Sequence, residues 1–204
     1  MLTDHEISQI QSLSPNIRQA VLRILRSAKS DPLRRSFLKW LINYTNYGSN
    51  AGPKKYKLPK PEIIEYAAQF SLGSYTLYRG MGWSGTNITK AVNTIFNGTP
   101  PVKKQPVVLK LTGMSSWTLD LNTAYNFARG KAMVILETQV KRKDVVLDTV
   151  NMAKKDKELG DEIMFPNEKE VILKPGIIKA TVVESDPKKP SQWNHLMKTV
   201  ELDD

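Results

Sequence analysis

The chain has 204 residues, a quarter of them charged and 40% hydrophobic, with 30 Lys or Arg against 20 Asp or Glu and a formal net charge of +10. That length buries one substantial core and predicts a domain with a smaller appended lobe, and no apolar run approaches the roughly 20 residues that cross a bilayer. The absence of cysteine excludes a disulfide framework, a thiolate nucleophile and a cysteine-based zinc site. Two histidines near opposite ends, His5 and His195, argue against a Ser-His-Asp triad or a histidine-rich metal centre, so chemistry here is expected to use carboxylates, hydroxyls and arginines without a metal. The N-terminal run MLTDHEISQIQS lacks the basic and apolar regions of a signal peptide, so a cytoplasmic protein without a membrane partner is expected.

Along the chain, Ser14-Pro15 and Asp31-Pro32 each set a capping side chain before a proline at the first helical position. Ile17, Val21, Ile24, Leu25 and Ala28 form one apolar face, and Leu33, Phe37, Trp40, Leu41 and Tyr44 form another, so the two helices should pack together. Arg18, Arg23, Arg26, Lys29, Arg34, Arg35 and Lys39 are then left mostly outside. Residues 1–60 hold eleven Lys or Arg against Asp4, Glu6 and Asp31. This basic helical lobe, residues 1–70, suits an acidic partner: nucleic acid, or a nucleic-acid-associated assembly such as RNA polymerase or the ribosome. Residues 46–60 read as an exposed connection, and Pro61 opens a third helix through Ile63, Ile64, Ala67 and Ala68.

From about Tyr75 the pattern changes. Strands are predicted at 75–79, 107–111, 133–140, 145–147, 168–173 and 177–183, with helices over 88–96 and 121–128. NGTPPVKKQP and MAKKDKELGDEIMFPN read as loops. Gly80, Gly82 and Gly85 fit the spacing G-x-G-x-x-G, yet a dinucleotide loop of that kind needs an acidic residue about 20 positions further on. From Tyr66 to Trp117 there is no Asp or Glu. The residue just before the first glycine, Arg79, carries more information than the glycines.

Three short pieces follow in an informative order: Tyr78-Arg79-Gly80; Ser115-Ser116-Trp117-Thr118-Leu119-Asp120 with Ala124, Phe127 and Ala128 on the next helix; and Asn167-Glu168-Lys169-Glu170-Val171-Ile172-Leu173 before Lys174-Pro175-Gly176. On a strand, residues i and i+2 face one side, so Glu168 and Glu170 would point together while Val171 and Leu173 fill the core. In this order the pieces resemble the mono-ADP-ribosyltransferase superfamily, in its Arg / Ser-Thr-Ser / Glu-x-Glu branch, which includes phage and bacterial toxin enzymes. The resemblance spans about 75–183.

The resemblance implies an α+β fold: a catalytic core, residues 71–204, of two packed, mostly antiparallel β-sheets with flanking helices, after the small helical lobe. It implies NAD as co-substrate and a protein acceptor modified on arginine, in the cytoplasm of the producing or infected cell. Glu170 would stabilise the oxocarbenium ion through the ribose 2′-OH, as a carboxylate does in glycosidases. Glu168 would orient and deprotonate the acceptor guanidinium. Arg79 would pair with the NAD phosphates, Gly80 would let the backbone approach the nicotinamide amide, and the Ser116 hydroxyl would hold Glu170. Trp117 and Thr118 depart from the Thr and second Ser of the family motif, although Thr118 keeps a hydroxyl. Phe127 or Tyr125 could stack on nicotinamide, against the commoner fate of such aromatics as core. Phe165 would meet the acceptor. Two alternatives stand beside this reading: an NAD glycohydrolase, which uses the same pocket with water in place of the acceptor, and a nucleic-acid-binding module built on the basic helices, with a degenerate NAD pocket.

Overall fold

The computed structural model describes residues 4–12, 15, 18–19, 21–22, 25, 31–46, 58–163 and 166–200. Helices α1 (Asp4–Ser12), α2 (Pro32–Asn46) and α3 (Pro61–Ala68) come first, and the described residues between positions 15 and 25 are also helical. Asp31 caps α2 as its sequence predicts: its Oδ1 accepts from the backbone N–H groups of Leu33 and Arg34, each at 3.0 Å.

Seven strands follow: β1 (Ser74–Trp83), β2 (Pro106–Leu111), β3 (Ser115–Thr118), β4 (Ala132–Lys141), β5 (Val145–Asp148), β6 (Glu170–Leu173) and β7 (Gly176–Asp186). Between and after them lie α4 (Asn87–Ile95), α5 (Leu121–Phe127), α6 (Thr149–Lys155), α7 (Lys157–Ile163) and α8 (Pro190–Val200). The strand order is β2-β7-β4-β1-β3-β6-β5, and every neighbouring pair is antiparallel. The architecture is therefore α+β.

Instead of two packed sheets, hydrogen bonding joins all seven strands in one. The joint is narrow, however. β1 pairs with β4 over ten positions but meets β3 at the single register pair Tyr78↔Thr118. The sheet is thus a four-stranded half and a three-stranded half that part beyond Tyr78, leaving a fork between the second half of β1 and the start of β3.

Each face of the sheet carries its own core. On one, Leu77, Leu136, Trp117, Val171, Leu173 and Val182 pack beneath Ile88, Val92 and Phe96, with Trp193 of α8. On the other, Met114, Val146, Leu147 and Ile172 are covered by Phe37, Leu38 and Leu41 of α2, Ile63 and Ala67 of α3, and Met152 and Leu159 of α6 and α7. The second cluster runs from Ile10 to Ile172, so the helices before residue 70 share one core with β5, β6 and Met114 at the entry to β3.

Three sequence expectations change. The run MAKKDKELGDEIMFPN, read as a loop, contains the second half of α6 and all of α7. Asp148 explains the first of these by capping it, its Oδ1 accepting from Asn151 N–H at 2.9 Å. The strand expected from Glu168 begins at Glu170 instead; Pro166–Glu168 is a 3₁₀ turn and Lys169 has φ 46°, a left-handed conformation that breaks the strand. Ser115–Thr118 forms a strand of its own. Among the described residues no helix is long and apolar enough to cross a membrane.

Candidate active site at the sheet fork

Register brings Tyr78, Thr118 and Glu170 into one row across β1, β3 and β6. Residues directly opposite one another leave the same face of a sheet. Tyr44 of α2 comes down on that row, its hydroxyl donating to Glu170 Oε1 at 2.8 Å. The backbone of Glu170 is held separately, since Thr149 Oγ1 donates to its carbonyl at 2.7 Å.

Glu168 reaches the same place by another route. Thr118 Oγ1 donates to the Glu168 carbonyl at 2.8 Å, and Leu119 N–H donates to the Lys169 carbonyl at 3.1 Å, so the turn is fastened to the end of β3. Burial, then the nearby Glu170 charge, pushes the Glu168 carboxyl above the usual glutamate range. The two carboxylates therefore sense one another even though no shared strand aligns them. Lys169 stands between them in sequence and would neutralise them, but its ammonium pairs with Asp120. The Lys169 hydrogen bond, with help from Asn122 N–H, holds the Asp120 carboxyl below its ordinary value. Asp120 also caps α5, accepting from Asn122 N–H at 2.8 Å. One carboxylate thus starts the helix and draws the lysine off the pair.

Arg79 alternates to the other face of β1. Its guanidinium lies 6.0 Å from the centroid of the Trp117 ring, donates to Ser115 Oγ, and reaches the Ser116 carbonyl at 3.4 Å. Trp117 Nε1 donates to the same Ser115 oxygen at 3.2 Å. Where the β1–β3 ladder stops, the arginine bridges the two half-sheets. Arg79 and Glu170 consequently flank the apex of the fork from opposite faces.

The remaining expected site residues fall as follows. Ser116 is exposed on the Glu170 side of β3, opposite Ile172, and among the described residues the donor to the Glu170 carboxylate is Tyr44. Gly80 is required by α5: a Cβ there would stand 1.8 Å from the Ala124 carbonyl oxygen. A Cβ at Gly82 would stand 1.9 Å from the carbonyl oxygen of Arg129, just beyond α5, and Gly85 has φ 60°, so the three glycines serve close backbone packing and a turn. Phe127 and Tyr125 are not core; they are 54% and 38% exposed on α5. Phe165 and Arg26 lie outside the described residues. Among the described residues no cluster of three His, Asp or Glu side chains could hold a metal ion.

Tyr44, Ser115, Thr149 and the Asp120–Lys169 pair escaped the sequence reading. Tyr44 sits on the apolar face of an amphipathic helix, where an aromatic reads as core, and only the fold shows its hydroxyl aimed at a carboxylate. Ser115 differs from Ser116 by one place on a strand, which reverses the face. Protein-family models, curated proteins and solved structures were all compared with the chain, and none matches it.

Proposed function

We propose that the chain is an NAD-dependent mono-ADP-ribosyltransferase that modifies arginine side chains of a protein. The observation that carries this reading is the carboxylate pair: Glu170, hydrogen-bonded by Tyr44, with Glu168 beside it and raised above its ordinary range. The fit to NAD is good at the carboxylates and the fork. From Arg79 onward β1 has no strand on its β3 side among the described residues, which leaves a backbone edge suited to a carboxamide. It is poorer at Gly80, which α5 covers, and Arg79 already donates to Ser115 and Ser116. Arg79 acts first by holding β3, and with it Thr118, opposite Glu170.

NAD supplies a good leaving group: the bond from ribose C1′ to nicotinamide breaks, and its electron pair departs with a neutral ring. A fixed Glu170 carboxylate lowers the energy of the positive charge left on the ribose. A guanidinium nitrogen bonds to C1′ and its proton passes to Glu168, whose raised affinity for protons suits a base. The test is turnover of labelled NAD with a small guanidino acceptor and with cell lysate protein. Glu170→Gln is expected to lower both transfer and NAD hydrolysis by at least about 100-fold, the scale of removing one preorganised transition-state contact, with an unchanged melting temperature. A wild-type protein that consumes no NAD overturns the reading, as does a folded Glu170→Gln protein that keeps most of its turnover.

A further inference from the structure

We infer that Tyr44 is a positioning residue for Glu170, so that the helical lobe supplies part of the active site; this rests on the transferase reading above. A carboxylate on a strand end can rotate about its side-chain torsions, and catalysis needs one setting. The structure fixes that setting from α2. The phenol donates to Oε1 at 2.8 Å while Thr149 fixes the backbone behind it, which leaves Oε2 to meet the reacting ribose. A hydrogen bond to an ionised acceptor is about twice as strong as a neutral one.

Tyr44 is itself held. Its ring stacks on Trp40 at 5.7 Å with an interplanar angle of 30°, Trp40 meets Phe37 at 5.7 Å, and Phe37, Leu38 and Leu41 are fully buried in the shared core. At the other end of α2, Arg34 pairs with Asp156 and Glu158, each at 3.1 Å. From Arg34 to Tyr44 the helix is a rigid arm of roughly 15 Å at 1.5 Å per residue. The serine that the family motif assigns to the glutamate is exposed at Ser116, so the task of orienting Glu170 passes to the lobe.

The experiment compares the full chain with Tyr44→Phe, which keeps the ring on Trp40 and removes only the hydroxyl. Expected is a fall in kcat of about 10-fold, the equivalent of one such hydrogen bond, with KM for NAD within about two-fold and a melting temperature lowered by at most a few degrees. A second readout does not need turnover: with ¹³C-labelled glutamate, the Glu170 side-chain carboxyl resonance, assigned by its loss in Glu170→Gln, should move in Tyr44→Phe. Should Tyr44→Phe fold poorly, 3-fluorotyrosine at position 44 keeps the ring and strengthens the donor, and should move the same resonance. An unmoved resonance overturns the inference, as does an unchanged kcat in an active enzyme. If the wild type turns over no NAD, the transferase reading fails by itself, and the resonance alone decides whether Tyr44 sets Glu170.

Discussion

Glu168 gains its character from one neighbour that the sequence shows and two whose part it hides. Its spacing from Glu170 is plain in Glu-Lys-Glu, but the reason they approach is the left-handed Lys169 and the hold of Thr118 on the turn, which no alternation rule anticipates. Burial first and then the Glu170 charge raise the proton affinity of Glu168, so the folded chain holds that proton more tightly than the unfolded chain does. The stability it contributes is fully present below the ordinary glutamate value of 4.5 and is lost as pH rises through the higher folded value. Two results are expected. In Glu170→Gln the like charge is gone, and Glu168 should titrate at lower pH by ¹³C NMR; an unaltered titration would show that the two groups do not interact. In Glu168→Gln, transfer to a guanidino acceptor should fall by about 100-fold or more, the lower end of what one general base contributes, while water continues to trap the ribose cation and NAD hydrolysis persists. Equal losses of both activities would remove Glu168 from the acceptor side.

At the scale of elements, the sequence was legible wherever a periodic apolar pattern had a cap or a turn at its end. α2 with Asp31-Pro32, α4, α5, β1, β2, β4, β5 and β7 all lie within a few residues of expectation. It misled where local signals conflicted with packing. α7 contains Gly160, whose absent side chain lets the helix lie on Ala153 of α6, and amid its polar composition Leu159 is buried in the core. β3 is four residues long with three polar side chains, and its pairing, chiefly with β6, makes it a strand. Gly80 is expected from sequence to let a bare backbone approach the nicotinamide amide, and the structure puts the Ala124 carbonyl of α5 against it, while Gly82 meets the Arg129 carbonyl just beyond that helix. Gly80→Ala should therefore act on stability: a Cβ at 1.8 Å from a backbone oxygen forces α5 off β1. A loss of about 1–3 kcal/mol is expected, read by chemical denaturation, together with reduced activity from displaced Asp120 and Thr118. A Gly80→Ala protein of native stability with a raised KM for NAD would instead return the glycine to the ligand site.

For the whole molecule, the question is what a +10 chain does with its charge. The basic residues of the first helices read from sequence as one outward field for an acidic partner, and the fold divides them. Arg34 is drawn inward: half-buried, it joins α2 to Asp156 and Glu158 at the α6–α7 corner, at the far end of the helix from Tyr44. Arg35, its neighbour in sequence, leaves the helix in another direction, and Arg26 lies outside the described residues. Charge reversal should separate these two roles. Arg34→Glu replaces an ion pair with three carboxylates in one corner; it should cost about 2–4 kcal/mol, which for a chain of this size is a melting shift of about 4–16 °C, and should slow turnover of even a small guanidino acceptor. Arg35→Glu should leave both unchanged and weaken modification of a macromolecular target, most at low salt, where its field is least screened. The measurements are a thermal melt and a salt series of transfer rates with the two kinds of acceptor. If Arg34→Glu melts like the wild type, the corner does not hold the lobe and the rigid arm to Tyr44 loses its anchor. If Arg35→Glu modifies lysate protein at the wild-type rate across the salt series, the positive charge there keeps the chain soluble and recruits nothing.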